Sequence, residues 1–564
     1  MPPSTSGHAT RSHRVSSVVA AGDHAPKTHR SLGWRDAVVA LSLAAAYVAF
    51  GLFVARTLAV VVDPDAVAYA QIARHYLNGH LDLALNTWWG PALSWLLVPG
   101  LVFGLEPQFA ARVVNVLAGL TMALGVSVLT WRLAGPNAAR WGFVLALAAT
   151  LHMLNDSVTP DLVLASVVTW YIVVCHAYLV APNSRSAIAA GLVGGIGALI
   201  KAYALPFAIV NTLLVALAAL GRGASLARTA RHAVLSAAAV VLVAAPWLVT
   251  ISLVNGAPTL GSAGAYAASF ARLERHPVER DQKPMFELTS VQEGRITNWE
   301  APRSPVPREL PPIGSSPIVD RAFDLLANID RALAGFRGVD GVGLLLSLAL
   351  LAAVSVVARP ERFGGKTRAT LAWLAAATVV YVGGYVLLLV EARFLWPAIA
   401  LAIAFVVATA GALAGWQGNG AVSVGKPPLA GIALAVLLAL TLAWGARTTV
   451  SSLLSSELGQ ARLDRDVGRA LAALHVEEGS GTPQLVGNDW LRGLRIAYWS
   501  QVRFLGRSTA QDAASFVAAI TPYAPQWVVL HADPALSEAL LDEGYHTLLE
   551  RDDVIVLVSS ATGH

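Results

Sequence analysis

The stretch AVVALSLAAAYVAFGLFVARTLAVVVDPDAVAYAQIARHYLNG (residues 37–79) joins a long apolar run to two carboxylates and a second, more polar helical pattern. Residues 37–57 carry a single charge, Arg56. At about 1.5 Å per residue such a run crosses the roughly 30 Å of a bilayer's hydrocarbon. No water reaches backbone N–H and C=O groups at that depth, so the run must bond internally, as a helix.

The pattern recurs along the chain. Further apolar blocks fall at 112–132, 139–155, 162–181, 187–200, 203–220, 232–254, 340–358, 369–390, 395–415 and 428–446. The 564 residues are 55% apolar and 13% charged, with a mean hydropathy of +0.59. A soluble domain carries about 25% charge. The expected fold class is therefore an α-helical polytopic membrane protein with about 11 transmembrane helices in the lipid bilayer. The net charge of +5 resides mainly in short connectors between blocks, so it excludes nucleic acid as the expected partner. Cys175, the only cysteine, leaves no intrachain disulfide and no Cys-based metal site. Residues 1–35 read as a disordered cytoplasmic arm, and no removable signal peptide is expected.

Lys and Arg mark cytoplasmic loops. With the arm inside, alternate connectors are basic: Arg132 and Arg140; Arg185; Arg222, Arg228 and Arg231; Arg359, Arg362, Lys366 and Arg368; Lys426. Block 90–105 (GPALSWLLVPGLVFGL) breaks this alternation if it spans, and it holds Pro91, Pro99 and Gly100. It reads as a helix at the membrane surface or only partly inserted. The protein then belongs in the cell (cytoplasmic) membrane, with outer loops 58–110 and 255–339 in a transmembrane domain of 36–446. The Pro-rich stretch 301–317 in the second loop cannot be helical. Residues 447–564 form an extracytoplasmic α/β domain, with a helix at 461–475 and strands at 484–487, 526–531 and 553–558. No phosphate loop or His/Cys cluster marks this tail, so a cap or docking module outweighs catalysis there.

Asp63 and Asp65 close the first span on its outer side. Residues 66–77 read as an amphipathic helix with Ala66, Tyr69, Ile72, Ala73 and Tyr76 near one face. Asp65 then falls at the N-cap, where capping alone explains a carboxylate. Catalysis is compatible with that position, because a capped helix holds the group rigidly near the headgroup plane.

The string PDAVAYAQIARHYLNG, followed by WWGPALSWLLVPGLVFG and FAARVVNVLAG, resembles the N-terminal half of the GT-C superfamily of membrane glycosyltransferases. The similarity is greatest to the branch of aminoarabinose transferases, protein O-mannosyltransferases and RgtA/B/C/D-like enzymes. Pro64, Asp65, Tyr69, Ala70, Ile72 and Ala73 match its first-loop motif, and Ala110, Ala111 and Arg112 its A-A-R helix start. Further matches are Asp161 in TPDLVL, the Gly-rich segment 191–206 with Lys201, and EARFLWPAIA (391–400) with Glu391 and Arg393. The chain departs at NTWWGP (86–91), where relatives carry a charge before Pro-Pro.

The resemblance implies a hexosyl or pentosyl donor on a polyprenyl phosphate and a hydroxyl acceptor in the cell envelope. A carboxylate within hydrogen-bond reach can take the acceptor's proton. Asp65 is the expected base, Asp63 its helper, and Asp161 orients the acceptor or shares the role. Lys201 and Arg393 are the expected cations for the lipid phosphate, since ionisable residues at membrane depth point to function. The competing readings are snorkelling for Lys201 and a structural pair with Glu391 or another carboxylate for Arg393. Tyr69, His75, Trp88, Trp89 and Glu391 complete the expected substrate-facing set. Solvation is the bland reading of His75, His152 and Asp156, and an aromatic belt that of Trp88, Trp89 and Trp95. Asp63-Pro64-Asp65 matches a D-x-D pattern, so a divalent cation is an optional cofactor, with no metal ligands assigned. Two other functions fit such a chain: a transporter or flippase for lipid-linked sugars, and a non-catalytic envelope-assembly scaffold.

Overall fold

The computed structural model describes residues 34–156, 158–264, 267, 288–302, 317–337, 340–358, 363–416, 429–478, 482–508, 510 and 512–559. Most of the N-terminal arm, most of the Pro-rich stretch, and Arg359, Arg362 and Lys426 lie outside these residues.

Ten helices precede the second outer loop: α1 (Trp34–Leu58), α2 (Pro64–Leu77), α3 (Leu81–Ala84), α4 (Pro91–Val102), α5 (Pro107–Ala134), α6 (Pro136–Met153), α7 (Asp161–Val180), α8 (Ser184–Ile200), α9 (Ala204–Gly221) and α10 (Leu226–Asn255). Beyond it come α11 (Pro317–Arg337), α12 (Asp340–Ala358), α13 (Gly365–Val386), α14 (Trp396–Leu413) and α15 (Leu429–Leu453). Every expected apolar block falls on a helix. Among the described residues, eight helical stretches are long and apolar enough to cross a membrane: α1, α5, α7, α9, α10, α13, Ala392–Leu413 and α15. The other three blocks lie on α6, α8 (17 residues) and α12. The protein is thus a multi-pass membrane protein, and length and composition alone do not fix the count at eleven.

Small residues set the packing, as they do where lipid leaves no hydrophobic gain between helices. A Cβ on Gly191 would sit 2.2 Å from Ser236 O, and one on Gly195 2.6 Å from Val243 Cβ. The Gly-rich face of α8 therefore lies directly on α10 and fixes where Lys201, at the α8 C-cap, emerges. At the opposite end of the bundle Arg140 pairs with Asp36 at 2.8 Å. There too Arg222 donates to Lys366 O (2.9 Å) and Thr370 Oγ1 (2.7 Å). The basic connectors thus gather at one end and the carboxylate loops at the other.

Block 90–105 yields α4, whose 12 residues make it about 18 Å long and too short to span. It packs on α2, with Ser94 Oγ donating to Tyr69 O at 3.0 Å. The amphipathic reading of α2 is overturned. Residues 66–73 are all buried, because α4 lies on one side and the C-terminal domain on another. The second outer loop contains a 3₁₀ turn at Asn298–Glu300 and the whole of α11, neither of which was expected.

The C-terminal domain opens with α16 (Ser456–Glu478) and holds β1 (Gln484–Gly487), α17 (Trp490–Ser500), β2 (Arg503–Arg507), α18 (Ala513–Ile520), β3 (Trp527–His531), α19 (Pro534–Asp542), β4 (Tyr545–Arg551) and β5 (Val554–Ser559). The sheet order is β2-β1-β3-β5-β4, parallel across β2-β1-β3 and antiparallel across β3-β5-β4. The three expected strands are present, and β2 and β4 are additions. Polar residues had hidden both: β2 is bounded by arginines, and most of β4 is exposed. The domain sits on the first outer loop. Arg495 Nε donates to Val62 O (2.9 Å) and Tyr498 OH to Glu106 Oε1 (3.0 Å).

Candidate active site

Pro64 occupies the first turn of α2, where its missing N–H costs nothing, and this places the N-cap two residues earlier than expected. Asp63, not Asp65, is the cap. Its Oδ1 accepts from Ala66 N (3.0 Å) and its Oδ2 from Val158 N (3.2 Å), joining the first outer loop to the second carboxylate loop. Burial, and then the neighbouring charge of Asp65, push Asp63 up to about 6.

Asp65 is thereby released from capping. Its Oδ2 accepts from Arg393 Nη1 at 2.8 Å and its Oδ1 from Trp299 Nε1 at 3.2 Å. Arg393 stands in the 3₁₀ turn Ala392–Leu395 that starts the α14 span; its Nε donates to Glu391 Oε2 at 2.7 Å and lies 3.9 Å from Asp161 Oδ2. Asp161, in the first turn of α7, accepts from Lys201 Nζ at 2.7 Å. Lys201 Nζ also sits 3.5 Å from the centroid of the Phe394 ring, a desolvated cation–π contact.

Five ionisable residues from four separate elements thus form one chain of charge: Glu391, Arg393, Asp65, Asp161 and Lys201. Lys201 is held by a carboxylate, Asp161, which goes beyond snorkelling. Arg393 does pair with Glu391, but Asp65 binds it as well. The Lys201, Arg393 and Asp65 side chains are 24%, 19% and 16% exposed, so the cluster opens to solvent while Asp161, at 2%, forms its floor. Unlike charges alternate, and each cation is available to a competing anion.

The aromatic residues lie alongside. Tyr69 and Trp89 meet edge to face at 5.0 Å, and Trp88 and Trp89 each contact the Trp299 ring, at 5.6 and 5.7 Å. His75 does not join the cluster: it is buried, 3.0 Å from Glu300 Oε2. His152 is stacked on Trp444 between α6 and α15. Arg112 donates to Val61 O (3.3 Å) and Asp156 O (3.4 Å), tying the end of α1 to the loop before α7.

No family model and no curated protein matches the sequence. Solved structures do. The structure of ArnT from Cupriavidus metallidurans bound to undecaprenyl phosphate superposes with a TM-score of 0.54 at 16% identity, over 92% of this chain and 98% of that one. Its apo state gives 0.52 at 17% identity, over 93% and 99%. The Archaeoglobus fulgidus oligosaccharyltransferase, in complex with zinc and sulfate, gives 0.50 at 11% identity, over 89% and 71%. The fold is GT-C.

Both carboxylates of the D-x-D pattern are engaged by protein groups in this structure. Asp63 is taken by two backbone N–H groups and Asp65 by Arg393 and Trp299. No group of three or more His, Cys, Asp or Glu residues is placed to hold a metal among the described residues. Sequence reading missed Trp299, Glu300 and Phe394. Phe394 lay inside the quoted EARFLWPAIA segment, with cation–π contact to a preceding helix end as its only signal. Trp299 and Glu300 had none, since a lone NWE in a polar loop has no period and no spacing to a partner more than 200 residues away.

Proposed function

We propose that this protein transfers a sugar from a polyprenyl-phosphate-linked donor to a hydroxyl acceptor of the cell envelope (glycan, lipid or protein) at the outer face of the cytoplasmic membrane. One observation carries the reading: on a GT-C fold, Asp65 and Asp161 interleave with Lys201 and Arg393 at one end of the helix bundle.

The chemistry follows from that interleaving. The donor's phosphate competes with Asp65 and Asp161 for Arg393 and Lys201, so the two cations change partners without being stranded. Release of Asp65 Oδ2 from Arg393 frees a carboxylate oxygen for the acceptor hydroxyl. The acceptor oxygen bonds to the anomeric carbon as the bond from that carbon to the phosphate oxygen breaks. The hydroxyl proton goes to Asp65 and the electron pair leaves with the lipid phosphate, where Lys201 and Arg393 stabilise the developing charge. Asp161 keeps Lys201 aimed, and Tyr69, Trp88 and Trp89 supply ring faces on which a sugar can lie. Asp63 acts through the backbone of α2. No step requires a metal. In the ArnT structure bound to undecaprenyl phosphate, a protein of the same fold holds a lipid phosphate, which supports the donor class.

The test is reconstitution into liposomes with a labelled polyprenyl-phosphate sugar and envelope extract. Label is expected to move into an acceptor fraction. Translocation of intact donor across the bilayer would instead mark a flippase, and neither event a scaffold.

A further inference from the structure

Asp65 receives two hydrogen bonds, and they differ in kind. Arg393 is a cation on which the carboxylate and an arriving phosphate make competing claims. Trp299 Nε1–H is a neutral donor, and the second outer loop holds the residue through several hydrogen bonds. Thr297 and Glu300 close a capping box around the 3₁₀ turn Asn298–Glu300. Glu300 is fully buried; its Oε1 accepts from Ile296 N (2.7 Å) and Thr297 N (3.1 Å), and its Oε2 faces His75 Nε2 on α2 at 3.0 Å. Trp89 Nε1 donates to Trp299 O at 2.9 Å, while Asn86 Oδ1 accepts from Trp88 N and Trp89 N. From the far side the C-terminal domain grips the same loop, through Phe504 N to Ile296 O (2.7 Å) and Thr289 N to Leu505 O (2.8 Å).

We infer that Trp299 is a positioning residue for Asp65, latched in place by the buried Glu300–His75 pair and by strand β2, an inference that rests on Asp65 being the base. When Arg393 turns to the donor phosphate, Asp65 loses the contact that fixed Oδ2. The indole N–H then keeps the carboxylate in one rotamer, with a free lone pair toward the acceptor. A carboxylate oxygen has two acceptor sites, so holding Oδ1 does not block proton uptake.

Trp299→Phe keeps a ring in the Trp88–Trp89 stack and removes the N–H. Loss of one aligned hydrogen bond of about 1–1.5 kcal/mol predicts a kcat lower by about 10-fold. The donor KM is expected to stay within about twofold, since the interaction matters only to proton transfer. Pure packing loss lowers thermal stability and slows turnover whatever residue stands at 65. In an Asp65→Asn background Trp299→Phe is instead expected to add nothing further. A full additional loss of kcat in that background overturns the inference. If Asp65→Asn alone turns over like the parent, the base reading falls and this role falls with it. If Asp65→Asn is inactive and Trp299→Phe is normal, only this role falls. Should Trp299→Phe fail to fold, His75→Leu loosens the latch without touching the aromatic stack. It is expected to lower kcat at an unchanged donor KM and to add nothing in the Asp65→Asn background, and a parent-like kcat there is equally decisive.

Discussion

Asp63 and Asp65 are two residues apart in sequence and do different work, and the difference lies in what each carboxylate accepts. Asp63 takes two backbone N–H groups, one on each oxygen. An Asn there must turn its NH2 toward one of them, so Asp63→Asn is expected to cost about 1–3 kcal/mol of stability. The same variant changes the pH response. Asp63 is raised from 3.8 to about 6 in the folded protein, so its protonated form favours folding. Its stabilising contribution is complete below the unfolded value and disappears as pH rises through about 6. Between pH 4 and 6 the parent is thus expected to lose more stability than Asp63→Asn, read as a difference in slope of melting temperature against pH in detergent. At Asp65 the prediction is kinetic. Asp65→Asn removes no cap and still accepts from Trp299, so folding is expected to persist while turnover drops by about 10²–10⁴. Turnover within a few-fold of the parent, measured on the reconstituted enzyme, would falsify the assignment.

Among elements, α4 and the end of α8 approach closely beside the site. A Cβ on Gly90 would lie 2.3 Å from Ile200 O and 2.8 Å from Leu199 O, both backbone atoms that cannot swing aside. Gly90 is the last residue before the Pro91 that starts α4, and Ile200 precedes Lys201. Gly90→Ala is expected to push these elements apart, with an overpacking cost of about 1–3 kcal/mol. It should also weaken donor binding, because Lys201 moves with the α8 terminus. A raised donor KM alongside a lowered melting temperature is the expected pair of readings. This contact gives the NTWWGP stretch a structural meaning: its glycine is the spacer between α4 and Lys201.

For the molecule as a whole, the C-terminal domain is a brace on the site. It reaches the first outer loop through Arg495 and Tyr498 and the second through β2, while its own Arg492 is clamped by Asp464 and Asp553. Truncation after residue 455 is therefore expected to leave a membrane-inserted protein that transfers sugar at least about 10-fold more slowly, the order expected when a catalytic group is misplaced by about 1 Å. Unimpaired transfer by the truncated protein would remove the brace. Orientation is tested by cysteine labelling in a Cys175→Ser background. Ser515→Cys in the tail is expected to react with an impermeant reagent in spheroplasts, and Ala181→Cys between α7 and α8 only after lysis.

Membrane residence and the helical blocks were legible in the sequence, and Asp65, Asp161, Lys201 and Arg393, which the structure brings together, could be singled out there. Each depends on local properties: run length, or a rare ionisable residue beside an apolar helix. The strands β1, β3 and β5 were visible for the same reason, as short buried apolar runs. What tertiary structure alone decided were the pairings. Capping passed from Asp65 to Asp63 because Pro64 begins the helix. The burial of α2 came in part from a domain more than 400 residues away. The roles of Trp299, Glu300 and β2 arose from contacts that no period or spacing encodes, because they form only when the second loop is pressed between α2 and the C-terminal sheet.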